Sequence, residues 1–257
     1  MASFLKRDQS AARALKAKLQ SGDVATFIHS SHSSASLVEK LGEIGFDAVL
    51  IDCEHGSAGP KEVEEMARAA NVAKMVSIVR PEDAAPWLIT RYLECGVDGF
   101  MIPLVPNAEV AQTVVDRLRF SAPFDYKDRF IILMIETLEA VNNLPEILKV
   151  EGVDAYFIAP GDLALTMGAV PFAYEWQDGE RGREVKETID RAIKTIVDAG
   201  KVCGTLVNRG DVQSFIEKGV QLVYDHANHM LMRGSADFLD LVKRTEHAES
   251  RTGTNAG

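Results

Sequence analysis

The chain has 257 residues, of which 46% are hydrophobic and 26% charged, and its formal net charge is -10. A chain of this length and composition is typical of a globular protein, and barrels of alternating strands and helices often use it as one domain. Because 38 acidic residues outnumber 28 Lys and Arg residues, the sequence argues against a nucleic-acid-binding surface.

Signals for membrane insertion, export or disulfide formation are weak. No apolar run approaches the roughly 18 residues that span a bilayer, and the N-terminus lacks the apolar core of a signal peptide. The cysteines, Cys53, Cys95 and Cys203, are odd in number, widely spaced and set in apolar segments. This pattern predicts reduced core thiols in a cytoplasmic protein with no membrane partner. The basic, amphipathic residues 6–18 favour a short N-terminal helix, with an organelle-targeting peptide as the alternative.

From residue 24 onward, short β-rich runs alternate with amphipathic helices in eight units. The predicted strands are 24–29, 48–55, 75–80, 99–105, 130–136, 155–160, 202–207 and 220–226. The predicted helices are 35–44, 61–72, 84–95, 108–118, 138–150, 183–199, 212–218 and about 230–243. Gly-Val-Asp or Gly-Phe-Asp turns at 45–47, 96–98 and 152–154 lie where a helix ends and the next strand begins.

Eight such units predict an α/β fold of the TIM (β/α)8 barrel type. A doubly wound open sheet is the alternative, but it usually carries a Gly-rich turn after its first strand, and residues 29–36 contain no glycine. The prediction is one barrel domain with an N-terminal extension at about 1–13 and a flexible polar tail at about 246–257. A longer connection at 166–180 follows the sixth strand and contains Tyr174 and Trp176.

Ionisable side chains collect at the carboxyl ends of the predicted strands, where barrels build their active sites. The second strand ends in Asp52, Glu54 and His55, and the third ends in Arg80. The fifth strand ends in Glu136, and Asp162 follows the sixth. The sequence therefore predicts that these side chains meet at one rim of the barrel.

Each of these residues has a functional and a structural interpretation. Glu136 and Asp162 can supply two oxygen ligands to a hard divalent cation, or they can form salt bridges and cap helices. Arg80 can bind a carboxylate or an enolate oxygen, or it can pair with a neighbouring acid. His55 is the natural proton carrier near neutral pH, and Asp52 is expected to orient it.

The remaining basic residues are weaker candidates. His29 ends the first strand and can line the pocket, whereas His32, His226, His229 and His247 are expected to be structural or solvated. A Schiff-base enzyme needs a lysine near the carboxyl ends of the strands, but Lys74 and Lys201 precede their strands. Metal-dependent chemistry is therefore favoured over lysine chemistry.

Several separate motifs, in order over about residues 14–241, resemble the HpcH/HpaI aldolase family of class II, metal-dependent pyruvate aldolases. They are GFDAVLIDCEHG, SIVRP, GVDGFMIPLV, MIET followed by LEAVNNLPEIL, and VEGVDAYFIAPGDLALTMG. The family includes 4-hydroxy-2-oxoheptanedioate aldolases. Its fold is a barrel of the phosphoenolpyruvate/pyruvate-binding type, which agrees with the barrel predicted above.

The resemblance implies a role for each rim residue. Glu136 and Asp162 match the residues that hold Mg, Mn or Co, which pyruvate or its enolate chelates. His55 matches an acid/base residue oriented by the one matching Asp52, and Arg80 matches the residue that stabilises the enolate oxygen. Backbone amides around Gly161 and Asp162 are expected to hold the pyruvate carboxylate.

Two features depart from the family pattern, both on the substrate side. Met134 occupies a position where the family commonly has a glutamine that contacts the keto acid, so Met134 is predicted to line the substrate site. The loop after the fourth strand, at 120–128, is much shorter than the Gly- and Arg-rich loop of relatives. These departures bear on the acceptor aldehyde and on aldolase activity more than on the metal or the enolate.

The leading hypothesis is a carbon–carbon lyase that cleaves a 4-hydroxy-2-oxo acid to pyruvate and an aldehyde, with His55 or a water polarised by it taking the 4-hydroxyl proton. The alternatives are an oxaloacetate decarboxylase, a macrophomate synthase-like lyase that also forms an enolate, and a non-catalytic barrel that binds a keto acid. The resemblance also implies a homo-hexamer or homo-trimer in which neighbours exchange the last helix. The apolar stripe of that helix consists of Leu231, Phe238, Leu239, Leu241 and Val242.

Overall fold

The computed structural model describes residues 9–169 and 179–252 and contains a closed barrel of eight parallel strands. The strands are β1 (Ala25–His29), β2 (Ala48–Asp52), β3 (Val76–Arg80), β4 (Gly99–Ile102), β5 (Phe130–Ile135), β6 (Ala155–Ile158), β7 (Cys203–Leu206) and β8 (Val220–His226). Each strand pairs with the next along the chain, and β8 closes the barrel against β1. The predicted TIM barrel is confirmed.

Helices separate the strands, as predicted, and most of them cover the outside of the barrel, whereas the first closes its amino end. They are α1 (Ser10–Gln20), α2 (Ala35–Ile44), α3 (Pro60–Val72), α4 (Pro86–Glu94), α5 (Ala108–Ser121), α6 (Leu138–Ile147), α7 (Pro160–Thr166), α8 (Glu180–Asp198), α9 (Val212–Glu217) and α10 (Ala227–Thr252). None of the helices in the described ranges is both long and apolar enough to cross a bilayer.

Five strands end earlier than the sequence predicted, β7 by one residue, and local features explain the larger differences. Pro103 follows β4 and Pro160 opens α7, and proline has no N–H to continue a strand ladder. After β2, the Asp52 side chain folds back and accepts the backbone N–H groups of Glu54 and His55 at 3.1 and 3.4 Å. The prediction that 48–55 is one continuous strand is therefore wrong for residues 53–55. β5 likewise ends at Ile135, one residue before Glu136.

The short helix α7 was not predicted, and its first residue, Pro160, was assigned to the end of the sixth strand. Pro160 occupies its first turn, where a missing N–H costs nothing, and Asp162 lies in the same turn. Part of the connection predicted at 166–180, including Tyr174 and Trp176, lies outside the described residues. The last helix also differs, because the polar tail predicted from residue 246 continues α10 to Thr252. No proline or glycine interrupts the chain there before Gly253.

Two apolar cores lie on the two faces of the sheet, as expected for a closed parallel barrel. Alternate strand residues point inward and pack together, and these include Phe27, Leu50, Ile78, Ile132 and Leu222. The residues between them point outward and pack against the helices. Cys53 and Cys203 are buried, as predicted, whereas Cys95 is partly exposed and packs against the outer core.

Helix α1 closes the amino end of the barrel. Its residues Leu15 and Leu19 are buried in the inner core, and Lys16 and Lys18 lie 2.8 Å from Asp154 and Asp47. The predicted N-terminal extension, at about 1–13, overlaps the first turn of this helix. Because the amino end is sealed, a ligand can reach the barrel interior from the carboxyl end.

Candidate active site

Side chains alternate between the inside and the outside of the barrel along each strand, and this alternation brings predicted site residues together at the carboxyl end. Ala48 and Leu50 point into the barrel, so Asp52 at the end of the same strand also points inward. The same alternation aims Arg80 on β3 and Glu136, directly after β5, at the barrel axis. Sequence order predicted this convergence, and the structure confirms it for these three side chains.

Asp52 and Arg80 form the best-defined contact of the site. The ladder register places them opposite each other on β2 and β3. Arg80 Nε donates to Asp52 Oδ1 at 2.8 Å and Nη2 donates to Oδ2 at 2.7 Å, while Nη1 lies 3.2 Å from Glu54 Oε2. Burial alone would raise the pKa of Asp52, but the hydrogen bonds and charge of Arg80 outweigh it and lower the pKa. Asp52 is therefore a carboxylate at neutral pH.

Arg80 keeps hydrogen-bonding capacity for a ligand. A guanidinium has five N–H groups in a planar fork, and the contacts to Asp52 and Glu54 account for three of them. The two remaining N–H groups lie on Nη1 and Nη2, at the outer end of the fork. The arrangement holds the planar group rigidly and presents it to an oxygen anion in the mouth of the barrel.

His55 does not pair with Asp52 in the way that the sequence predicted. Its side chain is 67% exposed, and its Nε2 atom lies 3.8 Å from Glu54 Oε2. Asp52 contacts His55 only through the backbone N–H, because the chain turns sharply after β2. A Cβ atom on Gly56 would lie 2.1 Å from the Asp52 carbonyl oxygen, so this turn requires glycine. The predicted side-chain dyad is wrong, although both residues do lie at the rim.

Glu136 is a buried carboxyl group with few compensating charges. It is 4% exposed, and its Oε1 accepts the backbone N–H of Leu104, whose left-handed φ of 54° turns that N–H toward the site. Burial raises the pKa of Glu136 to about 7, and the nearby charges of Asp162 and Glu54 add to the effect. Burial also raises the pKa of Glu54.

This electrostatic arrangement fits a divalent cation. Two hard oxygen donors, Glu136 and Asp162, repel each other unless a cation neutralises them, and such donors suit Mg or Mn. Within the described ranges, no group of three or more His, Cys, Asp and Glu side chains is placed to hold a metal ion. The two carboxylates therefore fit a cation whose other ligands come from water or substrate.

The predicted substrate-binding residues lie in different surroundings. Asp162 and Gly161 are partly exposed in the first turn of α7, and a side chain at Gly161 would meet no atom within 4 Å. Met134 is 1% exposed and belongs to the inner core, on the same face of β5 as Glu136. It can form the floor of the site, but it offers no strong hydrogen-bonding atom.

Two histidines outside the predicted catalytic set lie beside the site. The sequence predicted that His29 can line the pocket and that His226 is structural or solvated. The register between β1 and β8 places His29 opposite His226, and their Nδ1 atoms are 2.8 Å apart. His29 Nε2 also lies 3.6 Å from Asp52 Oδ2. Of the histidines whose side chains the structure describes, His29 lies nearest the Asp52 carboxylate, in agreement with the expectation that it can line the pocket.

Comparison with known proteins agrees with this geometry. The family model described as HpcH/HpaI aldolase/citrate lyase matches residues 25–231. A hydroxypyruvate/pyruvate aldolase of Agrobacterium fabrum is 31% identical over 213 residues, 74% of this chain and 77% of that protein. A 4-hydroxy-2-oxo-heptane-1,7-dioate aldolase of Shigella sonnei is 30% identical over 248 residues, 87% of this chain and 92% of that protein.

A solved structure shows the same fold. It is that of a HpcH/HpaI aldolase/citrate lyase family protein from Burkholderia cenocepacia, with a TM-score of 0.80 and 23% identity, and the match covers 90% of this chain and 99% of that one. The family match and the aldolase relatives identify the chain as a carbon–carbon lyase. The resemblance in the motifs is thereby confirmed, and the chain belongs to the HpcH/HpaI aldolase/citrate lyase family.

Proposed function

We propose that the chain is a metal-dependent aldolase that cleaves a 4-hydroxy-2-oxo acid to pyruvate and an aldehyde through the enolate of pyruvate. The observation that carries the proposal is the buried Glu136 carboxyl group, which lies near Asp162 and Glu54 and faces the barrel mouth. Such a group is costly to the fold unless a ligand uses it. The names of the relatives support the aldolase chemistry.

Glu136 and Asp162 would hold the cation, which is Mg, Mn or Co in this proposal. A divalent cation bound there supplies Lewis-acid stabilisation of the developing enolate charge, worth several kcal/mol. The two free N–H groups of Arg80 donate to the enolate oxygen, while Asp52 and Glu54 hold the guanidinium in place. Backbone amides of Gly161 and Asp162 bind the pyruvate carboxylate. Met134 excludes water on the side of the site that faces the barrel interior.

His55 is proposed as an acid/base group of this reaction. It lies at the solvent side of the rim, 3.8 Å from the Glu54 carboxylate, so it can exchange protons with water. Replacing His55 with alanine is expected to lower turnover about 100-fold, a size typical of lost general acid/base catalysis, and to leave metal affinity unchanged. Calorimetric titration with Mn checks the second point, and unchanged turnover would remove His55 from the mechanism.

Oxaloacetate decarboxylation is the second candidate. One observation favours it: the predicted Asp52–His55 side-chain pair is not formed, and decarboxylation yields the same enolate without removing a hydroxyl proton. An enolate formed in this way can also add to a second substrate, as in a macrophomate synthase-like lyase.

Pyruvate release separates the two candidates. It is followed by coupling to NADH oxidation with lactate dehydrogenase, from several 4-hydroxy-2-oxo acids and from oxaloacetate. The protein is first stripped with a chelator, and Mg, Mn or Co is then restored. Metal-dependent release from a hydroxy keto acid supports the aldolase. Pyruvate release from oxaloacetate alone would favour the decarboxylase over the aldolase. No pyruvate release from any substrate would contradict both functions.

We also propose that the chain is a homo-oligomer, a trimer or hexamer, in which α10 packs on a neighbouring copy. This 26-residue helix exposes Leu231, Met232, Phe238 and Leu239, each more than half exposed. Beside it, β7 and β8 border an open cavity of about 390 Å³ whose lining includes the apolar Phe46 and Val212. Exposed apolar surface of this kind usually marks an interface. Light scattering tests the idea, and a monomer at micromolar concentration would contradict it.

A further inference from the structure

Two imidazoles meet where the barrel closes, and the reaction proposed above leaves them unused. His29 ends β1 and His226 ends β8, and both follow strand positions that point into the barrel. Their Nδ1 atoms are 2.8 Å apart, so one nitrogen must donate a proton to the other. A contact of this kind fixes the tautomer of both rings.

We propose that His226, positioned by His29 and Asp52, takes the proton of the substrate's 4-hydroxyl group, an inference that rests on the aldolase function proposed above. Two features of the site point to this role. The first is that His29 lies between the other two groups, with one ring nitrogen facing Asp52 and the other contacting His226. The second is that His55, the histidine expected from the sequence to contact Asp52, contacts it only through its backbone.

The tautomers follow from the Asp52 carboxylate. His29 Nε2 lies 3.6 Å from Asp52 Oδ2, longer than a hydrogen bond but close enough that a lone pair facing the carboxylate is unfavourable. His29 therefore carries its proton on Nε2 and accepts at Nδ1. His226 must then donate from Nδ1, which leaves its Nε2 atom as an unprotonated nitrogen. Within the described part of the chain, no side chain donates a hydrogen bond to this nitrogen.

Both rings are available as neutral imidazoles. Burial lowers the pKa of His29 to about 4, against the opposing effect of Asp52, and burial together with His29 and His229 lowers the pKa of His226 to about 4. The charge of Arg80 lowers both values, so its guanidinium, which would hold the substrate oxygen, lies within electrostatic reach of the pair. A proton taken by His226 would be stabilised through His29 by the negative charge of Asp52.

The backbone around His226 is held by a second set of contacts. Asp225 Oδ1 accepts the His226 backbone N–H at 2.7 Å and lies 2.9 Å from His229 Nδ1, and Arg233 Nη2 donates to Asp225 Oδ2 at 2.7 Å. The rings of His226 and His229 pack with their centroids 4.7 Å apart. These contacts fix the strand end that carries the proposed base.

The proton balance of the cleavage then uses two histidines. His226 Nε2 takes the 4-hydroxyl proton, the O–H electron pair forms the aldehyde C=O bond, and the C3–C4 pair moves into the enolate of pyruvate. His55, which is exposed to solvent, returns a proton to C3 of the enolate, and the C2 carbonyl re-forms. Afterwards His226 loses its proton to water and His55 regains one, so the cycle closes without another reactant.

Comparing two reactions of the same protein tests the assignment. Aldol cleavage removes a hydroxyl proton, whereas oxaloacetate decarboxylation forms the same enolate without that step. His226→Asn keeps an N–H donor toward His29 but has no nitrogen base in place of Nε2. This variant is expected to slow cleavage by about 10²- to 10⁴-fold and decarboxylation by less than about threefold. His55→Ala is expected to slow both reactions.

His32→Asn is the matched control. His32 lies on the same rim and contacts Asn228 at 2.9 Å, but it is outside the chain from Asp52 to His226. This substitution should leave the ratio of the two reactions unchanged. Equal slowing of both reactions in His226→Asn, or no slowing of cleavage, would overturn the assignment while the aldolase function stands. A wild-type protein inactive in both reactions would overturn the proposed function and this inference with it.

A spectroscopic measurement does not depend on activity. Nitrogen-15 shifts of the histidine rings at pH 7 report which nitrogen carries the proton. We expect the Nε2–H tautomer for His29 and the Nδ1–H tautomer for His226, and His29→Gln should release His226 from that tautomer. The Nε2–H tautomer of His226 in the wild-type protein would contradict the assignment, even if every substitution proved to unfold the chain.

Discussion

The two ends of the barrel use carboxyl groups in opposite ways. At the amino end, Asp47, Asp98 and Asp154 each accept a backbone N–H from the preceding strand, at 2.7 to 2.9 Å. Each lies near a cation: Lys18 for Asp47, Arg129 for Asp98 and Lys16 for Asp154. At the carboxyl end, Arg80 pairs with Asp52 and Glu54, while burial raises the pKa of Glu136 and the charge of Asp162 adds to the effect.

This difference in partners separates the carboxyl groups that stabilise the fold from those that are available to bind a ligand. A carboxylate that accepts several N–H groups beside a cation has recovered the interactions it lost on leaving water. Burial raises the pKa of Asp98 and Asp154 as well, but there hydrogen bonds and a nearby cation oppose the effect of burial. At Glu136 the charges of Asp162 and Glu54 add to the effect of burial, so this carboxyl group destabilises the folded chain at neutral pH. Substitutions at the two ends should therefore have opposite effects on activity and stability.

The largest effect is expected for Glu136→Gln. The amide keeps the shape and can still accept the Leu104 N–H, but it is a poor ligand for a divalent cation. Loss of several kcal/mol of enolate stabilisation corresponds to a fall in turnover on the order of 1000-fold or more. In chelator, the Tm should be equal to or above that of the wild type, because a carboxyl with a raised pKa has been removed. A Tm that falls by several degrees would contradict the comparison.

Asp98→Ala is expected to lower stability and to leave turnover nearly unchanged, which is the reverse of the result expected for Glu136→Gln. It removes the acceptor of the Ser77 N–H at 2.9 Å and of the Ser77 hydroxyl at 2.8 Å, both in the buried amino end of the barrel. Leaving these donors unsatisfied is expected to lower the free energy of unfolding by about 2 to 3 kcal/mol, measured by urea denaturation. The kcat should stay within a factor of two.

Asp116→Ala on the exposed side of α5 is the control for Asp98→Ala. Its carboxylate is 60% exposed and pairs with Arg119, so little stability should be lost. A large fall in kcat for Asp98→Ala at full stability would mean that the amino end also takes part in catalysis.

The smallest effect concerns acid stability at Asp47. Burial alone would raise its pKa, but hydrogen bonds from Lys18 and Thr26 lower it below the ordinary value of 3.8. A depressed folded-state pKa adds stability above pH 3.8 that is lost as the pH falls through the folded-state pKa. Asp47→Asn should therefore be less stable than wild type by about 1 kcal/mol at pH 7. The difference in Tm should shrink below about pH 4, and a constant difference down to pH 2 would contradict this account.

Much of the fold could be read from local patterns in the sequence. Alternation of apolar runs and amphipathic helices predicted eight units, and the Gly-x-Asp turns predicted where helices end. Gly45, Gly96 and Gly152 indeed have left-handed φ values of 110°, 91° and 98°. The strand boundaries were less predictable, because Pro103 and Pro160 have no N–H group for a strand ladder and the Asp52 side chain accepts backbone N–H groups directly after β2.

The sequence by itself determined the barrel, its family and the identity of most ionisable residues at the rim, because strand order places every carboxyl end on one side. Only the tertiary structure decided which of them touch. Asp52 pairs with Arg80 because β2 and β3 run in register, and His29 meets His226 because the barrel closes between residues 197 positions apart. His55, adjacent to this cluster in sequence, is instead turned toward solvent at the strand end.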